Sequence, residues 1–111
     1  MPRCLSVSRA VVSAGREPEY LATLGDLALA LGERGEHLWV FRSSANHHTF
    51  LEFSESPSAA SHRSVTARSP REAQLEARLR ALADYAPDAS ALWDEVALTP
   101  STDTKEGPDA A

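Results

Sequence analysis

Hydrophobic and polar positions alternate with a period of two at the start of the chain. In residues 4–12 Leu5, Val7, Arg9 and Val11 interleave with Cys4, Ser6, Ser8 and Ala10, which predicts a first strand. Gly15 interrupts the pattern. Pro18 then occupies a first-turn position, with Glu19 placed to complement a helix dipole. Tyr20, Leu24, Leu27 and Leu31 follow at helical spacing, widened by Leu21 and Ala28, and Gly32 and Gly35 supply stop signals. The result is an amphipathic helix of about four turns.

The period returns to two in HLWVFR (37–42) and TFLEFSE (49–55), which are rich in aromatic and β-branched residues and separated by the polar stretch SSANHH. This pattern predicts a hairpin with a loop over 43–48, Asn46 suiting a left-handed turn position. Residues 54–70 are small and polar and read as a loop with a short helical piece. Ser69 then caps a second helix, with Pro70 at its first position, Glu72 three residues after the cap, and Leu75, Leu79, Leu82 and Ala86 as its stripe. Pro87 ends that helix, LWDEVAL (92–98) is a last strand, and residues 99–111 form a disordered tail behind a single domain over 1–98.

Strand, helix, hairpin, helix, strand is the order of a ferredoxin-like β-α-β-β-α-β fold: an α+β domain with an antiparallel sheet and two helices on one face. If the hairpin closes on 43–48, Arg42 faces Thr49, Phe41 faces Phe50 and Trp39 faces Glu52. One face then carries Trp39, Phe41, Phe50 and a carboxyl, while the other carries aliphatic side chains and Phe53. Two helices cover one face only, so an apolar patch of this size calls for a partner. A second copy of the chain, packed sheet to sheet about a two-fold axis, is the simplest cover.

Composition narrows the function classes. The net charge of −5 gives no basic stripe for nucleic acid, and ten of the eleven Lys and Arg residues are arginines, with Lys105 the one lysine. No run approaches the roughly 20 apolar residues needed to span a bilayer, and no charged-then-apolar leader pattern is present, so a cytoplasmic protein is expected. A lone Cys4 forms no internal disulfide.

The element order, HLWVFR followed by TFLEFSE, and the ALWDEVAL segment resemble the dimeric α+β-barrel superfamily that includes antibiotic-biosynthesis monooxygenase-like domains. The resemblance runs from about Leu5 to Leu98. It implies a dimeric barrel and the cofactor-independent oxygenase chemistry of some members. Haem-degrading members carry an Asn on the first strand and a His on the second helix. Here the first strand has Ser6 and Ser8, and residues 70–86 contain no histidine.

Glu52 within a strand beside Trp39 is a candidate general base. The alternative is a structural ion pair with Arg9 or Arg42 on a neighbouring strand, or a solvent-facing position at a sheet edge. Trp39, Phe41 and Phe50, with Arg9, are the candidate ligand wall. His47 and His48 are adjacent and point opposite ways in an extended chain, without ligand-spaced partners, so no metal site is expected. His37 and His62, which could line the mouth of a pocket as an acid or base, read rather as surface residues, and Cys4 as a small half-buried strand residue. Trp93 and Tyr85 read as packing between the last strand and the second helix. Phe50 and Phe53 on central strands invite an RNA-stacking reading, but the basic-Gly-aromatic pattern of that motif is absent. The leading expectation is a homodimer that binds a small hydrophobic or aromatic molecule, with no cofactor, as a monooxygenase-like enzyme. The competing one is a non-catalytic homodimer whose aromatics serve only the subunit interface.

Overall fold

The computed structural model describes residues 2–63, 69–89 and 91–101. Strand β1 (Cys4–Val11) leads through a single 3₁₀ turn at Ala14–Arg16 into helix α1 (Glu17–Gly32). Strands β2 (His37–Arg42) and β3 (Thr49–Ser56) form the hairpin, a 3₁₀ turn occupies Ala59–Ser61, and α2 spans Pro70–Leu82. Two short strands follow, β4 (Asp84–Tyr85) and β5 (Trp93–Asp94). The sheet order β2-β3-β1-β4, antiparallel throughout, is the expected ferredoxin-like arrangement.

Both helices follow from their sequence stripes. Tyr20, Leu24, Leu27 and Leu31 of α1 and Leu75, Leu79 and Leu82 of α2 are buried in one core with Ala10, Val12 and Phe50 from the sheet. Gly35, at φ 78°, takes the left-handed conformation that turns the chain from α1 into β2. Ser69 caps α2 by accepting the Glu72 backbone N–H at 3.1 Å. The Glu72 carboxyl accepts from Arg34 at 2.8 Å, and Arg34 also donates to Glu36 at 2.8 Å, so the two ends of the helical layer are tied together.

The hairpin register differs from the sequence expectation by one residue. Arg42 faces Phe50, Phe41 faces Leu51, Val40 faces Glu52 and Trp39 faces Phe53. The loop chemistry explains the shift. Ser43 Oγ accepts the backbone N–H groups of Ala45 and Asn46, and Asn46 Oδ1 accepts that of His48. Ser43 thereby joins the ladder, donating its N–H to Thr49 O at 2.8 Å. A slip of one residue exchanges the faces of one strand relative to the other. Glu52 and Phe50 therefore point toward the helices, while Trp39, Phe41 and Phe53 share the opposite, open face.

The C-terminal part is corrected as well. Helix α2 stops at Leu82, before Pro87, and Ala83–Pro87 run along β1, with Ala10 facing Tyr85 and the Ala86 N–H donated to Arg9 O at 2.9 Å. Ala86 is accordingly not part of the helical stripe. The last strand expected over 92–98 shrinks to Trp93–Asp94, which pair with Leu5 and Cys4 at the other end of β1, and Val96 and Leu98 are exposed. Cys4 is fully buried. Most of the expected tail, residues 102–111, lies outside the described residues.

Two substitutions check this layout by chemical denaturation. Leu27→Ala, which empties the centre of the core, is expected to cost about 2–5 kcal/mol, whereas Ser69→Ala, which removes only the cap of α2, is expected to cost about 1 kcal/mol.

Candidate functional site

Glu52 sits in the middle of β3 on its helix-facing side, only 1 % exposed. A carboxyl in such a place needs donors, because an unpaired charge there costs several kcal/mol. Three converge on it. Tyr20 from α1 donates its hydroxyl to Oε2 at 2.7 Å, and Tyr85 from β4 donates to the same oxygen at 2.5 Å. Arg63, in the connection after β3, reaches Oε1 at 3.4 Å and is itself held by a 2.9 Å bond from its Nε to Ser54 Oγ. Burial, with the Glu52 charge and hydrogen bond added to it, pushes both phenols well above their ordinary range, so both remain proton donors.

Tyr85 opens onto a cleft of about 310 Å³ between the sheet and α2, lined by Ser6, Ser8, Arg63, Glu76, Leu79, Arg80, Tyr85, Pro87 and Ala89. Small side chains on β1 leave room there. Ser8 donates to the Ala89 carbonyl at 2.7 Å, which draws the segment after β4 over the cleft. Glu76 and Arg80 come from successive turns of α2 on the side flanked by Leu75 and Leu79. Glu76 Oε2 is buried without a hydrogen-bond partner, 3.7 Å from the Arg63 guanidinium. Burial raises the Glu76 carboxyl above the usual carboxylate range, against the lowering effect of Arg63.

The sequence-predicted residues divide between two faces. Glu52 and Phe50 lie on the helix side, where the Phe50 ring packs against Tyr20 at 5.2 Å between centroids. Trp39, Phe41 and Arg9 lie on the open side, so they form no wall around Glu52. Trp39 and Phe41 are 48 % and 59 % exposed, and Phe41 meets Phe53 edge-on at 5.4 Å. Arg9 lines a separate groove on that side with Phe41, Leu51, Asp88 and Trp93. Neither alternative partner proposed for Glu52 pairs with it: Arg42 binds Glu17 through two bonds of 2.8 and 2.9 Å and lies over the Phe50 ring.

His62, expected at the surface, is buried, with Nε2 3.0 Å from the Ser54 carbonyl. His37 stacks on Trp39 and bonds Glu55, and His47 and His48 are exposed at the hairpin tip. Among the described residues no group of three or more His, Cys, Asp or Glu side chains is placed to hold a metal ion. Sequence reading missed Arg63, Glu76, Arg80 and the part played by Tyr85. The spacing of Glu76 and Arg80 beside the Leu75 and Leu79 stripe is a local signal that could have found those two, whereas Arg63 carries none.

No protein-family model matches the chain, and no curated protein matches it. Among solved structures, SnoaB, a cofactor-independent oxygenase from Streptomyces nogalater, superimposes with a TM-score of 0.67 at 12 % identity, covering 90 % of this chain and 97 % of its own. The chain has the fold of the antibiotic biosynthesis monooxygenase-like proteins. An antibiotic biosynthesis monooxygenase matches with a TM-score of 0.64 at 11 % identity, covering 87 % of this chain and 99 % of its own. Rv0793 from Mycobacterium tuberculosis matches with a TM-score of 0.64 at 13 % identity, covering 92 % and 100 %. These identities speak for a shared antibiotic biosynthesis monooxygenase-like fold alone. In this chain that fold sets a buried carboxyl, two phenols and a guanidinium behind an open cleft.

The raised Glu76 carboxyl carries a sign that can be tested. A carboxyl whose folded-state pKa lies above its unfolded value contributes most stability when protonated, and that contribution is lost as pH rises through the folded value. Glu76→Gln is therefore expected to be more stable than the parent at pH 7–8, with the difference vanishing below about pH 4, as read from thermal melts across that range.

Proposed function

We propose that the chain binds a small hydroxylated aromatic molecule in the cleft between the sheet and α2 and oxygenates it without a cofactor. The observation that supports this most strongly is the hydrogen bond that joins the cleft-facing Tyr85 to the buried Glu52. Glu52 does not line the cleft, so it acts as a base through Tyr85. A substrate hydroxyl or acidic ring C–H gives its proton to the Tyr85 oxygen while the Tyr85 proton passes to Glu52 Oε2. Tyr20 and Arg63 hold the carboxyl in place during the transfer.

The resulting electron-rich ring donates electrons to molecular oxygen directly. For a substrate with an activated ring CH₂, one oxygen atom becomes a ring carbonyl. The other leaves as water with the two hydrogens, and oxygen receives the four electrons that the carbon loses. Leu79, Pro87 and Ala89 supply the apolar contacts for the ring, and Arg63 and Arg80 offset the negative charge that develops on it.

The open face carries the partner reading. Trp39, Phe41, Leu51 and Trp93 are exposed there together, with Leu5, Val7 and Phe53 between them. That row is large for a free surface, and a second copy packed face to face covers it on both subunits. Trp39, Phe41 and Arg9 then belong to the homodimer contact, and Phe50 supports Tyr20 from below. Among the described residues no helix is long and apolar enough to cross a membrane.

Oxygen uptake with a hydroxyanthrone as the probe, and no metal or cofactor added, tests the reaction. Protein-dependent consumption is expected, and Tyr85→Phe and Glu52→Gln are each expected to lower kcat by about 10²-fold or more. Consumption at the buffer rate would contradict the reading. In sedimentation velocity the parent is expected as a dimer and Phe41→Glu as a monomer, whereas a monomeric parent would remove the partner assignment.

A further inference from the structure

We propose that the cleft takes an aromatic carboxylate whose anionic end lies between Arg63 and Arg80, and that Glu76 takes up a proton as this end enters. The inference rests on the cleft being the substrate site and names the class of molecule it accepts.

The two guanidiniums are presented differently. Arg63 is fixed at one edge by Ser54 and Glu52, which leaves Nη1 directed at Glu76. That contact, at 3.7 Å, lies beyond hydrogen-bond distance, and the Glu76 oxygen concerned has no other partner. A ligand carboxylate placed at normal hydrogen-bond distance replaces it with a better interaction. Arg80 lies one turn beyond Glu76 at the rim of the cleft. It is exposed, and among the described residues no carboxylate pairs with it.

Charge balance supplies the proton. Two carboxyls, Glu52 and Glu76, already face Arg63 and Arg80, so a third anion in the same space leaves an excess of negative charge. Glu52 is occupied by two tyrosine donors, which makes Glu76 the group that yields. Burial already favours its neutral form, and Glu72, one turn earlier on α2, adds to that, while Arg63, Arg80 and Arg34 oppose it. Tyr85, from β4, lines the same cleft and stays a neutral donor. Affinity for the anion accordingly rises as pH falls toward the range in which Glu76 protonates.

Isothermal titration of the full chain with naphthoate and with naphthol, in buffers of different ionisation heat, tests this. Naphthoate binding is expected to take up close to one proton and naphthol binding close to none. Glu76→Gln is expected to abolish the uptake and tighten naphthoate binding. Arg80→Gln, a change at the rim of the cleft, is expected to weaken naphthoate roughly tenfold and naphthol far less. Naphthoate binding without proton uptake, or with affinity indifferent to Arg80→Gln, overturns the inference. If naphthol binds and naphthoate does not, this inference falls while the aromatic reading of the cleft stands; if neither binds, both fall.

Discussion

The structure depends on burying one carboxyl. Glu52 lies at the centre of the sheet beneath two helices, and it is stable there only because α1, β4 and the segment after β3 each bring it a donor. Tyr20 and Tyr85 come from elements that share no local sequence with β3, so this one side chain fixes how three parts of the chain meet. A slip in the hairpin register would strand the carboxyl on an apolar open face and leave two phenols buried without their acceptor. The cost of that alternative and the Ser43 and Asn46 loop bonds together select the observed pairing.

The same constraint separates the molecule's two sides. With Phe50, Glu52 and Ser54 turned inward, β1 presents its small residues, Cys4, Ser6, Ser8 and Ala10, to the helices, and the space they leave becomes the cleft. The larger apolar residues of the same strands turn outward, so the aromatic surface and the polar cleft arise from one alternating pattern. The cleft concentrates titratable groups, and the open face concentrates rings. The fold shared with antibiotic biosynthesis monooxygenase-like structures leaves the chemistry to this chain's own residues.

Both helices were legible because their signals are local. The leucine spacing around Tyr20 and Leu27 and the Ser69-Pro70 start need no distant partner to be recognised. The register was not, because it turned on how Ser43 and Asn46 fold the loop by one residue more than simple symmetry suggests. Ala86 continued the helical stripe of Leu75, Leu79 and Leu82 on paper, yet the chain leaves the helix at Ala83 and Tyr85 pairs with β1 instead. The site was half legible: Glu52 stood out as a carboxyl in an apolar strand, but its partners lie 11, 32 and 33 residues away in the chain. Trp39 and Phe41 were found for their size, and the register error set them on one face with Phe50 and Glu52, which the structure turns to the other side.

The most direct test is a nuclear Overhauser measurement on uniformly ¹³C-labelled protein, asking which aromatic rings lie beside the Glu52 side chain. Contacts from the Glu52 Hγ protons to the rings of Tyr20 and Tyr85, with none to Trp39, are the expected result. Contacts to the Trp39 ring and none to either tyrosine would contradict the register, the buried carboxyl and the site built upon it.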